Sequence, residues 1–555
     1  MGILDPTPTP YDPIEWSKLP FGRKANAVTR AWASDGYGAP AAAFAMYALK
    51  IALFIAAWFG FCSLSSSLGG PTEVGSWWSR PVAFQKAILW SLLFEVLGLG
   101  CGSGPLTGRY FPPLGGALYF LRPGTTKAPL FPGAPLIGGR SRRLFVEVVA
   151  YAALVGLLAW QLSADAPSRG PLCAIAVVIG ALGILDKTVF LAARGEHYWT
   201  TVICFVLAEN WLPGAQAVAL ALWFWAGVSK LNRHFPAVVC VMASNSPVTR
   251  FAWFRRLMYR DIDSDLRPST LAVAMAHAGT ALELGVPIIF VASAIAGGSP
   301  TLTIVGLSMM VVLHCFITSN VPMGVPLEWN VLVVYAGFVL FGSHSATTVL
   351  DLDSPLLALF LAAMLVVTPI VGNLAPRFVS FLLSMRYYAG NWAYSVWFFR
   401  GDSYRKLESH LTMTSPWIYD QLDRFYDRST AVGMVGKVIG FRLMHLHGRA
   451  LTRLVPRALP QFGEYEWVDG ELVAGLVLGW NFGDGHLHDH RLLASVQADC
   501  QFDSAELRCI FVESQPFGRP TLSYRIVDAH DGELSRGDVA VSELLSMRGF
   551  GEPDP

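Results

Sequence analysis

Ionisable side chains stand at the ends of several apolar runs. Asp186-Lys187-Thr188 closes one run, Glu196-His197-Tyr198-Trp199 opens the next, and Trp225-Ala226-Gly227-Val228-Ser229-Lys230-Leu231-Asn232 closes that one. His314 precedes Cys315-Phe316-Ile317, and Glu283 interrupts Ala281-Leu282-Glu283-Leu284-Gly285. A charge in hydrocarbon is costly, so such residues are functional candidates that face a cavity. A lysine near hydrocarbon loses the solvation of its ammonium, which brings the neutral amine of a general base within reach. Histidines can donate to a developing anion. The rival reading makes Lys230, His197 and His314 interfacial anchors. For Glu283 it is a polar link between helices. Glu95 and Glu147 also fall in spans; packing against a basic residue is one reading of each, and neither is assigned a role.

A second cluster is Trp480-Asn481-Phe482-Gly483-Asp484-Gly485-His486-Leu487-His488-Asp489-His490. On a strand, His486, His488 and His490 would share one face, as a metal site needs, with Asp484 as an oxygen ligand. The Gly-Asp-Gly turn leaves an exposed loop as the alternative. His445 and His447 lie in a helical, basic segment. Two residues apart on a helix, they would not share a face.

These residues need spans to position them, and the composition supplies them. The 555 residues are 53% hydrophobic and 15% charged, with mean hydropathy +0.44. Soluble domains carry about 25% charged residues, so this is a membrane protein. A net charge of +1 gives no argument for nucleic-acid binding. The eight cysteines contain no C-x-x-C, which excludes a zinc ribbon or a thioredoxin-type motif. Cys500 and Cys509 would bridge only if their domain were extracytoplasmic. Residues 1–39 are polar and Pro-rich, unlike a signal peptide.

A span needs about 20 mainly apolar residues. Runs of that kind cover roughly 40–64, 82–104, 143–163, 171–191, 199–211, 213–230, 270–297, 302–318, 327–343 and 355–374. The basic loops are 105–142, 230–268 (with Arg250) and the chain after Arg377, so these loops and both termini are expected on the cytoplasmic side. The segment after His197 crosses, turns at Pro213 and returns to Lys230. The next hairpin leaves near Thr270 and returns at His314. Span counting therefore brings Asp186, His197, Lys230 and His314 to one depth.

The expected fold is an all-α polytopic membrane domain of about eight to ten transmembrane helices, with amphipathic interfacial helices and a small β-rich soluble C-terminal domain. Its divisions are 1–39, a membrane domain over 40–376, interfacial helices over 377–460 and a soluble domain over 461–555. Strand-like runs stand at 472–478, 509–512 and 522–527.

The Asp186-Lys187-Thr188, Glu196-His197-Tyr198-Trp199 and Ala226-Gly227-Val228-Ser229-Lys230-Leu231-Asn232 segments resemble the vitamin K-dependent γ-glutamyl carboxylase family and the wider horizontally transferred transmembrane (HTTM) proteins. The resemblance covers roughly 40–375. It implies Lys230 as the base, His197 as the catalytic histidine and His314 as a later histidine near the active site, with Asp186, Glu283 and Trp199 around the cofactor. It also implies a reduced quinone, menaquinol or vitamin K-like, as cofactor, with membrane lipid or quinone as partner. In that family the lysine deprotonates the reduced quinone, oxygen adds, and the product takes a proton from glutamate before carbon dioxide adds. Two positions differ from the family pattern: Glu196 stands where it has asparagine and Phe235 where it has tryptophan. The chain as a whole also resembles actinobacterial multi-spanning membrane proteins that end in a Trp-Asn-Phe-Gly-Asp-Gly-His-type domain.

The rival function is a non-catalytic membrane scaffold that docks a protein partner through its C-terminal domain, since fold alone does not carry function. A transporter is disfavoured by the absence of inverted repeats.

Overall fold

In the computed structural model, described over residues 2–100, 107–109, 115–134, 138–249, 251–320, 326–459 and 461–550, the chain is mostly helical. Cys101 and Arg250 lie outside the described residues. Six described helices are long and apolar enough to cross a membrane: Ala41–Ser63, Phe145–Ser163, Leu212–Ser229, Thr270–Ile295, Pro300–Thr318 and Pro355–Leu374. Shorter apolar helices are Arg169–Leu185, Phe235–Asn245 and Leu327–Gly342.

Local chemistry sets the ends of these elements. Ser269 caps Thr270–Ile295 by accepting from the Ala272 amide, and Ser354 caps the span Pro355–Leu374 by accepting from the Leu357 amide, with Pro355 behind it. Asp186 stops Arg169–Leu185 and caps Lys187–Ala192 through the Thr188 amide. The run at 82–104 forms a helix over Pro81–Val96 in which Lys86 and Glu95 are buried. The arm after His197 is short. It consists of a five-residue π-turn, Gly195–Trp199, and the eight-residue helix Thr200–Leu207, against eighteen residues in the return arm. The reversal falls at Ala208–Trp211, before Pro213.

A small hairpin joins β1 (Tyr259–Asp261) to β2 (Asp265–Pro268). The C-terminal sheet contains β3 (Tyr394–Arg400), β4 (Tyr465–Asp469), β5 (Leu507–Val512), β6 (Thr521–Asp528) and β7 (Gly532–Ala540). It is antiparallel, in the order β4-β3-β5-β6-β7. Strand β3 is central, with Trp397 opposite Val468 on one side and Cys509 on the other.

Three expectations change here. Residues 394–400 were expected among surface helices, yet they form that central strand, buried except at its last residue. Tyr-Ser-Val-Trp-Phe-Phe is apolar on both faces, which suits a strand covered on both sides. The helix Arg428–Leu443 was expected on the membrane surface and is instead buried from Ala431 onward. The N-terminal helices cover it, with Trp16 against Gly436 and Val28 against Gly440. Residues 472–478, expected as a strand, are the buried helix Gly470–Leu478, started by Asp469 accepting from the Glu471 amide. A short apolar run has no periodicity to separate helix from strand. The runs at 509–512 and 522–527 are strands as read. Cys500 and Cys509 are buried free thiols.

The sheet domain sits on the end of the helix bundle. Lys187 Nζ donates to the His486 carbonyl at 2.7 Å, and the Phe517 amide donates to the Asn373 carbonyl at 2.7 Å.

Candidate functional site

Lys230 caps the Leu212–Ser229 helix, so its side chain leaves the helix at the junction between the bundle and the C-terminal domain. Glu283 meets it from the Thr270–Ile295 helix, with Nζ 2.5 Å from Oε2 and both side chains buried. Pro287 removes the helical donor to the Glu283 carbonyl, so the backbone is interrupted at the level of the charge. Lys230 Nζ also lies 3.4 Å from the Ala226 carbonyl and 5.9 Å from the centre of the Phe235 ring. Phe235, where the carboxylase pattern has tryptophan, thus still offers the lysine an aromatic face.

The pair looks into a cavity of about 140 Å³. Trp223, Phe235, Trp329 and Tyr387 contribute to its aromatic wall, and Phe482 and Glu471 close it from the C-terminal domain. His314 lines it too, but both ring nitrogens are engaged. Nε2 accepts from Trp223 Nε1 at 3.0 Å, which puts the proton on Nδ1, 2.7 Å from Asn330 Oδ1. His314 is thereby a fixed wall residue rather than an available donor.

His197 stands one layer behind. Its Nδ1 accepts from Trp329 Nε1 at 2.9 Å, which fixes the neutral ring with its proton on Nε2. Trp329 lies between the two histidines, its ring centre 6.0 Å from that of His197 and 6.4 Å from that of His314. Span counting thus brings His197, His314 and Lys230 around one tryptophan that the sequence reading did not single out.

Asp186 and Trp199, expected around a cofactor, stand elsewhere. Asp186 pairs with Arg143 at 2.7 Å and caps a helix, both of which are structural duties. Trp199 donates to the Ala176 carbonyl at 2.8 Å and packs on Phe190 and Phe360. Of the three expected cofactor contacts, only Glu283 lines the cavity.

Residues missed in the sequence complete the wall. Arg194, at φ 49°, turns the chain into the π-turn. Its guanidinium lies 5.3 Å from the Trp329 ring, 5.6 Å from Tyr387 and 5.6 Å from Phe482, so it joins bundle and C-terminal domain. Glu196 Oε1 accepts from Arg194 Nε and from the Tyr387 hydroxyl, each at 2.7 Å. The glutamate that departs from the carboxylase pattern therefore neutralises a buried arginine. The available signal was compositional: Arg194 and Glu196 are opposite charges two residues apart in an apolar neighbourhood.

The histidine cluster does not assemble. Residues 485–487 make a turn rather than a strand. His486 Nε2 is 3.0 Å from Glu513, His488 Nδ1 is 2.7 Å from the Ser395 hydroxyl, and His490 starts a helix against Phe511. Burial holds the His488 ring down to about 3, an uncharged core histidine. His445 and His447 also differ from expectation. The helix breaks between Leu443 and Leu446, and the two rings stack at 5.7 Å. Among the described residues no group of three His, Cys, Asp or Glu side chains is arranged to hold a metal ion.

No curated protein and no solved structure matches the chain. The aromatic cavity, its buried ion pair and the spans that hold them lie within residues 1–554, matched along that whole length by one family, and the chain belongs to it: the transmembrane proteins of unknown function grouped as DUF3556.

Proposed function

We propose that the protein is a membrane enzyme that takes a flat-headed amphiphile, a reduced quinone or a similar lipid, into this cavity and moves a proton at its head. The observation that carries the reading is the Lys230–Glu283 pair, which faces Trp223, Phe235, Trp329 and Tyr387 across a cavity also lined by Arg194 and by the Arg442–Glu471 pair. Such a wall accepts a planar ring, and space of about 140 Å³ is close to that known to hold a single aromatic ring. The residues present therefore fit a quinol head. A quinol would supply an acidic hydroxyl and two electrons.

The chain's own part is to receive and hold the proton. A hydroxyl against Glu283 Oε2 can pass its proton to the carboxylate while Lys230 Nζ keeps its charge beside the oxygen left behind. His314, tied to Asn330 and Trp223, orients the ring. His197 acts through Trp329 and is a positioning residue. Residues 230–268 and 377–460 are basic, which supports a cytoplasmic assignment of the cavity end.

The test is lipid extraction from the purified protein with mass spectrometry, comparing the wild-type chain with the Lys230→Met/Glu283→Leu form. Bound quinone or another flat-headed lipid in the first and its loss in the second supports the reading. An equal load in both forms removes the pair from binding. A folded wild-type protein with no such lipid favours the scaffold reading, in which the C-terminal domain docks a protein partner.

A further inference from the structure

Cavity space of about 140 Å³ takes a ring and leaves no room for a long chain. An amphiphile seated at Lys230 must therefore pass its tail out between helices, and one helix face marks where. Met275, Gly279 and Glu283 all line the cavity and recur every fourth residue along Thr270–Ile295, so they form one stripe. The stripe spans about 12 Å. Glu283 is buried, whereas Gly279 and Met275 are half-buried, so it runs from the ion pair towards lipid.

The neighbouring helix, Pro300–Thr318, is antiparallel. Gly285 abuts the Met309 side chain and Gly306 abuts Phe290, and this register brings Gly279 level with Phe316. Phe316 lines the cavity while 37% exposed on the outer face. Glycine usually permits close helix contact, and Gly227, Gly285 and Gly306 do so, with side-chain atoms within 2.7 Å of where a Cβ would stand. Gly279 does not: apart from its chain neighbours and its own helix backbone, no atom of the described residues lies within 4 Å of that position. Its missing side chain leaves a gap rather than a contact.

We infer that the cavity opens sideways into the bilayer at Gly279, between the Thr270–Ile295 and Pro300–Thr318 helices, and that its occupant is a lipid with one flat head and one apolar chain, the chain lying in this gap. The inference deepens the amphiphile reading above and rests on it. Met275 and Phe316 flank the chain, and the head reaches Glu283 two turns further along the stripe.

The experiment uses the full chain in lipid nanodiscs and two probes, a decyl-substituted 1,4-benzoquinol with a diazirine on its chain and a methyl-substituted benzoquinol without the chain. In the wild-type protein the diazirine should label Met275 or Phe316. Gly279→Trp fills the gap and should reduce that labelling at least tenfold while the methyl probe still binds. Gly279→Ala should keep both. Gly279→Leu serves as a second blocking variant should the tryptophan prevent folding. Labelling confined to other helices, or unchanged labelling in both blocking variants, overturns the lateral opening. Failure of both probes to bind the wild-type protein overturns the amphiphile reading and this inference with it.

Discussion

Lys230 Nζ and Glu283 Oε2 lie 2.5 Å apart at the junction of two membrane helices, each the other's counter-ion inside an aromatic wall. Removing one partner strands a buried charge, so Lys230→Ala should destabilise the fold by about 3–5 kcal/mol. The double variant Lys230→Met/Glu283→Leu should recover most of that loss, because replacing both partners leaves no charge to solvate. Thermal unfolding in nanodiscs measures both. A Lys230→Ala protein as stable as wild type would mean that the pair is solvated.

Trp329 carries a second relation of this kind. Its indole N–H satisfies His197 Nδ1 at 2.9 Å while the ring lines the cavity. Trp329→Phe leaves that nitrogen without its donor and should cost about 1–3 kcal/mol. His197→Leu in the same background should add less than its own single effect, because the interaction is already gone. A double-mutant cycle reads the coupling. Strict additivity would show that the hydrogen bond contributes nothing.

How much of this site the sequence shows follows from where each signal resides. Lys230, Glu283 and His314 were legible because a polar residue in an apolar span has few innocuous explanations. The turn near Pro213 pointed to His197 and Lys230 standing near each other, and Trp329, which bonds His197, lines the cavity that Lys230 enters. Trp329 and Tyr387 were not, because an aromatic residue near a span end looks like an interfacial anchor whether or not it lines a cavity. Asp186 misled for a related reason: a helix cap and a ligand use the same carboxylate. The C-terminal wall was hidden more deeply. Strand β3 lies far from its partners in sequence, and nothing local in 394–400 announces pairing with both Tyr465–Asp469 and Leu507–Val512. The same long-range contacts place Phe482 and Glu471 against a cavity made by membrane helices.

Glu196 tests the departure from the carboxylase pattern. Its Oε1 serves Arg194 and Tyr387 together, and Arg194 and Glu196 have fully buried side chains. Glu196→Asn, which installs that family's residue, should strand Arg194 and lower stability by about 3–5 kcal/mol. Glu196→Asn combined with Arg194→Met should be less damaging than the single change. If Glu196→Asn alone leaves the melting temperature unchanged, the arginine has another counter-charge.

The C-terminal domain carries a pH-dependent pair, His486 and Glu513, at 3.0 Å. Burial alone would raise the Glu513 carboxyl, but His486 and the Ser514 donors bring it down to about 2. Burial likewise opposes the charged His486 ring, yet Glu513 and Asp484 raise it above its ordinary 6.5. The glutamate's contribution is present above its ordinary 4.5 and is lost as pH falls towards 2. The histidine's contribution is complete below 6.5 and is lost as pH rises through its raised folded value. The pair is thus fully formed between these limits. A double-mutant cycle of His486→Gln and Glu513→Gln should give a coupling of about 2 kcal/mol near pH 5.5, shrinking near pH 9. A coupling that is already weak at pH 5.5 and stays so up to pH 9 would mean that the imidazole is neutral throughout.

Arg386 gives the opposite case, a charge whose burial is not repaid. It is 2% exposed, and none of its three guanidinium nitrogens has a hydrogen-bond partner among the described residues. Burial lowers its pKa to about 10, with Glu513 and Asp484 acting on it electrostatically without direct bonds. The backbone that holds it is strained, with Met385 at φ 53° and Tyr388 at φ 50° on either side. A buried cation without hydrogen bonds pays desolvation that attraction alone recovers poorly. Arg386→Met keeps the apolar stem and removes the charge, so it should leave stability unchanged or raise it by about 1–4 kcal/mol. Arg386→Lys keeps a charge in the same apolar setting and should give no such gain. Thermal unfolding of the two variants separates these outcomes. A loss of several kcal/mol in Arg386→Met would show that Glu513 and Asp484 depend on this arginine, making its long-range attraction a net stabiliser of the domain interface.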